Sequence, residues 1–318
     1  MLSYENYLKI LFAILSIILS AVYIYSYIYA KYSAIPLVNS ISVDAKFQFI
    51  RDIDNRNEVD TLILGSSIGL NNVQGVVLEN VSNKVQHALN LSGFGLSTLQ
   101  IEQLLELRTL FPNLKRVIYS AQFPDFSLAN IFEEYDVNFI KEYIQQEKNS
   151  ISLAYAFHAF KHFITISKHD REWEEKHLTN RTFDYLNFDH TGSVPLHIYG
   201  DDIIKERWEN PHRNHPIKES YQSLWRMVNK IEKEGINFYF VIQPYRLPLL
   251  EKNKDVYQTL NSFEQKSSAI ILSHHGKIIN LHKQLQLSDD YFADRSHLNN
   301  KGSKESAKAI AKFIDSSE

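Results

Sequence analysis

The sequence predicts an α/β fold: a mostly parallel sheet flanked by helices, preceded by one N-terminal transmembrane helix and interrupted by a helical insertion. Three observations predict it. Short runs rich in Ile, Val, Leu and Phe alternate with amphipathic stretches, the pattern of strands buried on both faces by helices. The 21 residues from Ile10 to Ala30 carry no charge. Between about 128 and 215 the strand–helix alternation lapses.

Taken in order, residues 1–9 form a short tail and 10–30 an anchor, because at about 1.5 Å per residue this run crosses a hydrocarbon core of roughly 30 Å. A cleaved signal peptide is the competing reading. Its apolar region is usually only about 7–15 residues and ends at a small-residue site, and no Ala-x-Ala stands here. Tyr23, Tyr25, Tyr27, Tyr29 and Tyr32 crowd one end of the run, as in an interfacial aromatic belt. Lys9 and Lys31 flank the run and leave its orientation undecided by charge.

Residues 31–58 read as a linker and helical segment, and 59–318 as the main domain. Strands are expected at 60–65, 85–91, 115–120, 236–243 and 277–281. Helices are expected at 97–111, 218–234, 255–272 and 302–315; in the last, Ala307, Ile310, Ala311 and Ile314 share one face. The insertion at 128–215 holds eight of the 13 histidines, and it reads as a cap or lateral subdomain in which selectivity would reside. His158/His162 and His212/His215 have spacings that can bind metal. Without cysteines or a nearby acidic ligand, no metal is expected, and Tyr155, Phe157, Phe160 and Phe163 read instead as an aromatic face packed on the core.

Composition narrows the function. A net charge of −3 and the absence of a basic stripe argue against a nucleic-acid partner. No Gly-rich phosphate loop is present, and no cofactor is expected. Zero cysteines fit an oxidising compartment without requiring one.

Two short segments carry the chemistry. Leu64-Gly65-Ser66-Ser67 follows an expected strand, and Asp294-Arg295-Ser296-His297 precedes the last helix. Together they offer a serine, an imidazole to take its proton and a carboxylate to hold that imidazole in one tautomer. Alone, each is more often a turn or a surface loop; strand ends of an open α/β sheet are where ligands bind. Ser67, His297 and Asp294 are the candidate catalytic residues. Gly95 is a candidate backbone oxyanion donor beside the Ser67 N–H, or a glycine kept only for a positive φ. Gln122, after the strand at 115–120, is a candidate side-chain oxyanion donor or a solvated loop amide. Ser66, Gln243, Tyr245 and Arg246 are candidates to line the site.

These blocks, with Asn90-Leu91-Ser92-Gly93-Phe94-Gly95 between them, resemble the SGNH (GDSL-like) hydrolase superfamily. The match covers four short blocks in order between about residues 60 and 315, the last being the most specific. The resemblance implies a flavodoxin-like three-layer sheet and a Ser-His-Asp triad. Two departures stand out: Ser66 replaces the usual Asp before the nucleophile, and Ser120-Ala121-Gln122-Phe123 lacks the usual Asn, so Gln122 takes its place. Both are similar to the branch of membrane-anchored proteins that acylate envelope polymers, including the teichoic-acid D-alanine transfer proteins. That resemblance implies a single-pass protein of the inner membrane with its catalytic domain in the periplasm or otherwise outside the cytoplasm. It implies an O-acyltransferase, with acetyl the expected group, acting on an envelope polysaccharide and receiving its acyl donor from a multi-spanning membrane partner. A carbohydrate acetylesterase and a non-catalytic scaffold of a modification complex remain the alternatives.

Overall fold

The structure is a computed structural model that describes residues 3–127, 134–147, 150–179 and 187–317. Its strands are β1 (Thr61–Gly65), β2 (Ala88–Asn90), β3 (Arg116–Ala121), β4 (Asn237–Ile242) and β5 (Lys277–Asn280). The helices of the first half are α1 (Tyr4–Tyr32), α2 (Ile41–Asp52), α3 (Ser67–Asn72), α4 (Gly75–Val81), α5 (Thr98–Leu105), α6 (Val137–Ile144), α7 (Leu153–Lys161) and α8 (Phe163–Thr179). Those that follow are α9 (Lys205–Glu209), α10 (Lys218–Lys233), α11 (Leu247–Lys252), α12 (Lys254–Leu272), α13 (Leu281–Leu285) and α14 (Asn300–Ser317). The chain divides into two compact units, one of residues 1–53 with 138–175, the other of 54–137 with 176–318.

The larger unit holds the sheet, in the order β2-β1-β3-β4-β5 with every pairing parallel. This is the doubly wound order whose switch point lies between β1 and β3. Side chains alternate across it with period two. Ile63, Ile118, Tyr239 and Val241 pack with Ala307, Ile310, Ala311 and Ile314 of α14, so the apolar face read from the sequence is the face that is buried. On the other side Tyr119 and Phe240 meet at 5.3 Å between ring centroids, and Phe126 meets Phe263 at 4.9 Å. Every expected strand is present, within one to three residues at its ends.

Close approach of α3 to the sheet depends on glycine. A Cβ on Gly65 would lie 2.6 Å from the Ser120 carbonyl oxygen, and one on Gly69 would collide with Ser92 Oγ. The start of α5 is a capping box: Ser97 Oγ accepts from the Gln100 N–H at 3.3 Å while Gln100 Oε1 accepts from the Ser97 N–H at 2.9 Å.

The smaller unit is built on α1, a helix long and apolar enough to cross a membrane. Its last carbonyls are capped by Arg51 of α2, whose guanidinium reaches Ala30 O and Lys31 O at 3.3 Å, donates to Tyr143 Oη at 2.9 Å and lies over that ring. Burial of this arginine is possible because its donors meet those partners and the Asp52 carboxylate.

The expected insertion 128–215 is divided between the units. Residues 128–133, 148–149 and 180–186 lie outside the described ones. Residues 138–175 belong with α1: Phe160 meets Tyr23 at 6.1 Å and Phe163 meets Tyr25 at 5.7 Å, Tyr155 packs on Phe139 at 4.6 Å, and Phe157 stays 49% exposed, so the expected aromatic face is buried only in part, within this unit. Residues from 187 belong to the α/β unit, where Val194 N–H donates to Leu70 O at 3.0 Å and Leu196 bridges to Asn299. Among the described residues of the insertion there is no strand of the sheet. An aromatic stripe announces burial; it does not name the surface that buries it.

Candidate active site

Ser67 is the first residue of α3, immediately past the carboxyl end of β1. Ser66 caps that helix, its Oγ accepting from the Ile68 N–H at 3.1 Å and donating to Asp125 Oδ1 at 2.6 Å. Asp125 stands in the turn after β3, and its other oxygen accepts the Gln122 N–H at 2.8 Å. The ends of β1 and β3, the two strands of the switch point, are thereby tied together around Ser67.

His297 Nε2 lies 2.8 Å from Ser67 Oγ, across 230 positions of sequence, and His297 Nδ1 lies 2.8 Å from Asp294 Oδ2. Asp294 Oδ1 accepts the N–H groups of Ser296 and His297, each at 2.8 Å. Burial alone would raise the Asp294 pKa. The His297 charge, its ring hydrogen bond and the two backbone N–H groups together outweigh burial and hold this carboxyl well below the usual carboxylate range. An ionised Asp294 fixes the proton on Nδ1, so Nε2 presents its lone pair to the serine hydroxyl.

Asn72 aligns the two halves. Its Nδ2 donates to Ser296 O at 3.2 Å and its Oδ1 accepts the Leu298 N–H at 2.9 Å, bracketing His297 from the end of the helix that Ser67 begins. A cavity of about 150 Å³ opens beside the serine, lined among others by Ser66, Ser67, Gly95, Asp125, His212 and His297. Gly95 sits there with φ of 70° and open space where a Cβ would be; the left-handed backbone, not crowding, selects glycine.

Gln122 also borders the cavity, but its amide is committed elsewhere. Nε2 donates to Pro244 O at 2.5 Å and to Ser296 O at 3.1 Å, which uses both amide protons. Oε1 is buried with no hydrogen-bond partner, and turning the amide over would set that oxygen against two carbonyls. The expected oxyanion donation by Gln122 is therefore corrected: this side chain clamps the ends of β3 and β4 to the histidine loop.

Of the expected lining residues only Ser66 lines the cavity. Gln243 is buried and accepts from Ser306 Oγ at 3.1 Å. Tyr245 packs on Phe123 at 5.4 Å, with its hydroxyl accepting the His212 N–H at 2.9 Å. Arg246 is spent on Asp289, at 3.0 and 2.7 Å, and lies 3.5 Å over the Trp208 ring. A strand's carboxyl edge carries both site residues and the ties that hold the edge in place.

Sequence reasoning missed Asn72, Asp125 and His212. The first two lie inside quoted or adjacent blocks, and their signal was a polar residue in an otherwise apolar setting. His212 was weighed only as a metal ligand paired with His215. In the structure Arg295 Nε donates to His212 Nε2 at 3.0 Å, while His215 Nδ1 lies 3.1 Å from Thr259 Oγ1. No metal-binding group of histidines and carboxylates occurs among the described residues. Burial, then the Arg295 charge, then the His297 charge push the His212 pKa down to about 3, so it stands neutral in the cavity wall at physiological pH.

Asp125 behaves in the opposite sense to Asp294. Burial raises its pKa from 3.8 to about 6, against the lowering effects of the Ser66 hydroxyl, the Gln122 N–H and the His297 charge. A folded-state pKa above the unfolded one means that the folded chain holds this proton more tightly. The contribution is fully present below pH 3.8 and is lost as pH rises through about 6. Relative to Asp125→Asn, which cannot titrate, the wild type should lose on the order of 3 kcal/mol between pH 4 and 7 in urea unfolding. A pH-independent difference between the two proteins would contradict the assignment.

No family model matches this sequence, and no curated protein matches it. Among solved structures, the chain is similar to a Bacteroides fragilis NCTC 9343 protein assigned as an acylhydrolase, at 12% identity and a TM-score of 0.43, over 86% of this chain and 93% of that one. It is also similar to a GDSL-like lipase of Bacteroides thetaiotaomicron VPI-5482, at 10% identity and a TM-score of 0.41, over 84% and 91%. The backbone likeness is loose, and what the site can do follows from its own side chains.

Proposed function

We propose that this chain is a serine-dependent acyl-transfer enzyme anchored in the cell membrane by α1, moving an acyl group, acetyl being the expected one, to a hydroxyl of an envelope polysaccharide. The observation that carries the acyl-transfer reading is the continuous chain of 2.8 Å contacts from Ser67 through His297 to Asp294, bordering a cavity. Ser67 Oγ attacks the donor's acyl carbonyl as His297 Nε2 takes its proton. Collapse of the tetrahedral intermediate breaks the bond to the leaving group, which receives that proton and departs. The acceptor hydroxyl then attacks the acyl-serine, gives its proton to His297, and Ser67 recovers it as the ester forms. Asp294 stabilises the imidazolium in both halves. Backbone N–H groups of Ser67 and Gly95 are the proposed donors to the oxyanion, with Gln122 acting only on position.

The anchor supports transfer over hydrolysis, since an enzyme held at the membrane meets both a lipid-side donor and a growing polymer. A multi-spanning membrane partner would deliver the acyl group, and the α/β unit would face the outside of the cell. Hydrolysis would use the same residues, with water replacing the sugar hydroxyl. The test is product analysis with an activated acetyl ester, with and without an oligosaccharide of the envelope polymer. Acetyl appearing on the sugar, with only slow release of acetate when no sugar is present, is the expected result. Fast hydrolysis of acetylated glycan without transfer would mean an esterase, and turnover of neither kind, with polymer acylation intact in a Ser67→Ala strain, would mean a scaffold.

A further inference from the structure

One face of α7 and the start of α8 is apolar without being covered. Leu153 and Phe157 stand four apart on α7 and Ile164 lies in the first turn of α8, while Phe160 between them packs on Tyr23 of α1. Leu153, Phe157 and Ile164 are 69, 49 and 73% exposed. Single exposed apolar residues are ordinary, whereas a group of them continuous with another apolar surface is a contact face. That second surface is α1. Phe160 and Phe163 meet Tyr23 and Tyr25 of α1, while Ile24 and Ile28 on the same helix stay 59 and 52% exposed.

We propose that the Leu153–Phe157–Ile164 face lies in the lipid interface of the bilayer that α1 crosses, giving this unit a second membrane contact beside α1. The inference rests on the anchor reading. Tyr23 and Tyr25 come seven and five residues before Ala30, where the uncharged run ends. At 1.5 Å per residue this face therefore enters roughly 8–10 Å inside that end, the depth at which an interfacial amphipathic helix buries its apolar face. Polarity runs the right way along α8. Its first turn meets the apolar side of the aromatic belt, whereas Asp170, nearly two turns later, accepts a hydrogen bond from Tyr29 Oη at 3.0 Å, next to the end of the run. Lys161 places its ammonium 4.7 Å from the Phe157 ring centroid, on a stem long enough to reach headgroups while the ring stays in lipid. A protein occupant has no such support, because nothing in this face offers a directional polar group for one to recognise.

The chain has no cysteine, so single spin labels report cleanly. Leu153→Cys, Phe157→Cys and Ile164→Cys would be labelled in the full chain, with Ile14→Cys in α1 and Tyr257→Cys on α12, an exposed position of the α/β unit, as references. Each protein is reconstituted in vesicles of phosphatidylcholine and phosphatidylglycerol, and collisions with oxygen and with a water-soluble nickel chelate are compared. Labels at 153, 157 and 164 should favour oxygen over nickel several-fold more than the label at 257, with the label at 14 deepest. Lipid-like behaviour at 14 with water-like behaviour at 153, 157 and 164 would overturn the inference and leave the anchor standing. Water-like behaviour at 14 as well would overturn the anchor and the inference with it. Labels at 153 and 157 immobilised and shielded from both reagents would mean a second protein copy on this face, which also overturns it.

Discussion

Replacing Ser67 with alanine is expected to lower the turnover of an activated acyl ester by at least about 10⁴-fold, with the fold unchanged. Among the described residues the Ser67 hydroxyl is the nucleophilic group that His297 Nε2 meets, at 2.8 Å, so its loss removes the acyl acceptor. Ser66, one residue away, is held at 2.6 Å by Asp125 and capped against the Ile68 N–H, facing away from the imidazole's task. Alanine is favourable at a first helical position, and the cap that starts α3 belongs to Ser66, not Ser67. A thermal midpoint within about 2 °C of the wild type should therefore accompany the loss of activity. Residual turnover within tenfold of the wild type would remove Ser67 from the reaction.

Asp294→Asn should cost about as much, roughly 10⁴-fold in kcat, through the tautomer of His297. Asparagine can still accept the Ser296 and His297 N–H groups with its oxygen, so the loop keeps its shape. Its nitrogen then faces His297 Nδ1 and donates to it, which drives the ring proton to Nε2 and turns an N–H toward Ser67. The serine loses its base. Stability should respond to pH with the sign opposite to that of Asp125. A carboxyl whose folded-state pKa lies below its ordinary value of 3.8 adds stability above that pH and loses it as pH falls below. The wild type should accordingly converge on Asp294→Asn in acid and exceed it at neutral pH. Imidazole NMR of the two proteins would show the change of tautomer directly.

What the sequence made legible follows from range. Strands such as 61–65 and 237–242 are continuous apolar runs whose burial is a local property, and α14 declares its buried face by spacing alone. The three residues of the Ser67–His297–Asp294 chain stand beside those elements, at strand and helix ends, and were named from there. Gln122 and Arg246 escape a local reading because their partners show in no local pattern. Gln122 reaches backbone carbonyls 122 and 174 positions away, and Arg246 a carboxylate 43 positions on. Carbonyl acceptors in particular leave no trace in residue identity. The division of the insertion was hidden for the same reason: Phe160 and Phe163 read as core, and the surface they pack on is the apolar helix at the other end of the chain.

Covalent capture reads out directly whether Ser67 is the activated nucleophile. The full chain, incubated with a serine-reactive fluorophosphonate at neutral pH and digested, should carry one phosphonyl adduct, on the peptide containing Ser67. An unmodified chain, or an adduct on another serine with Ser67 left free, would mean that Ser67 is not the nucleophile.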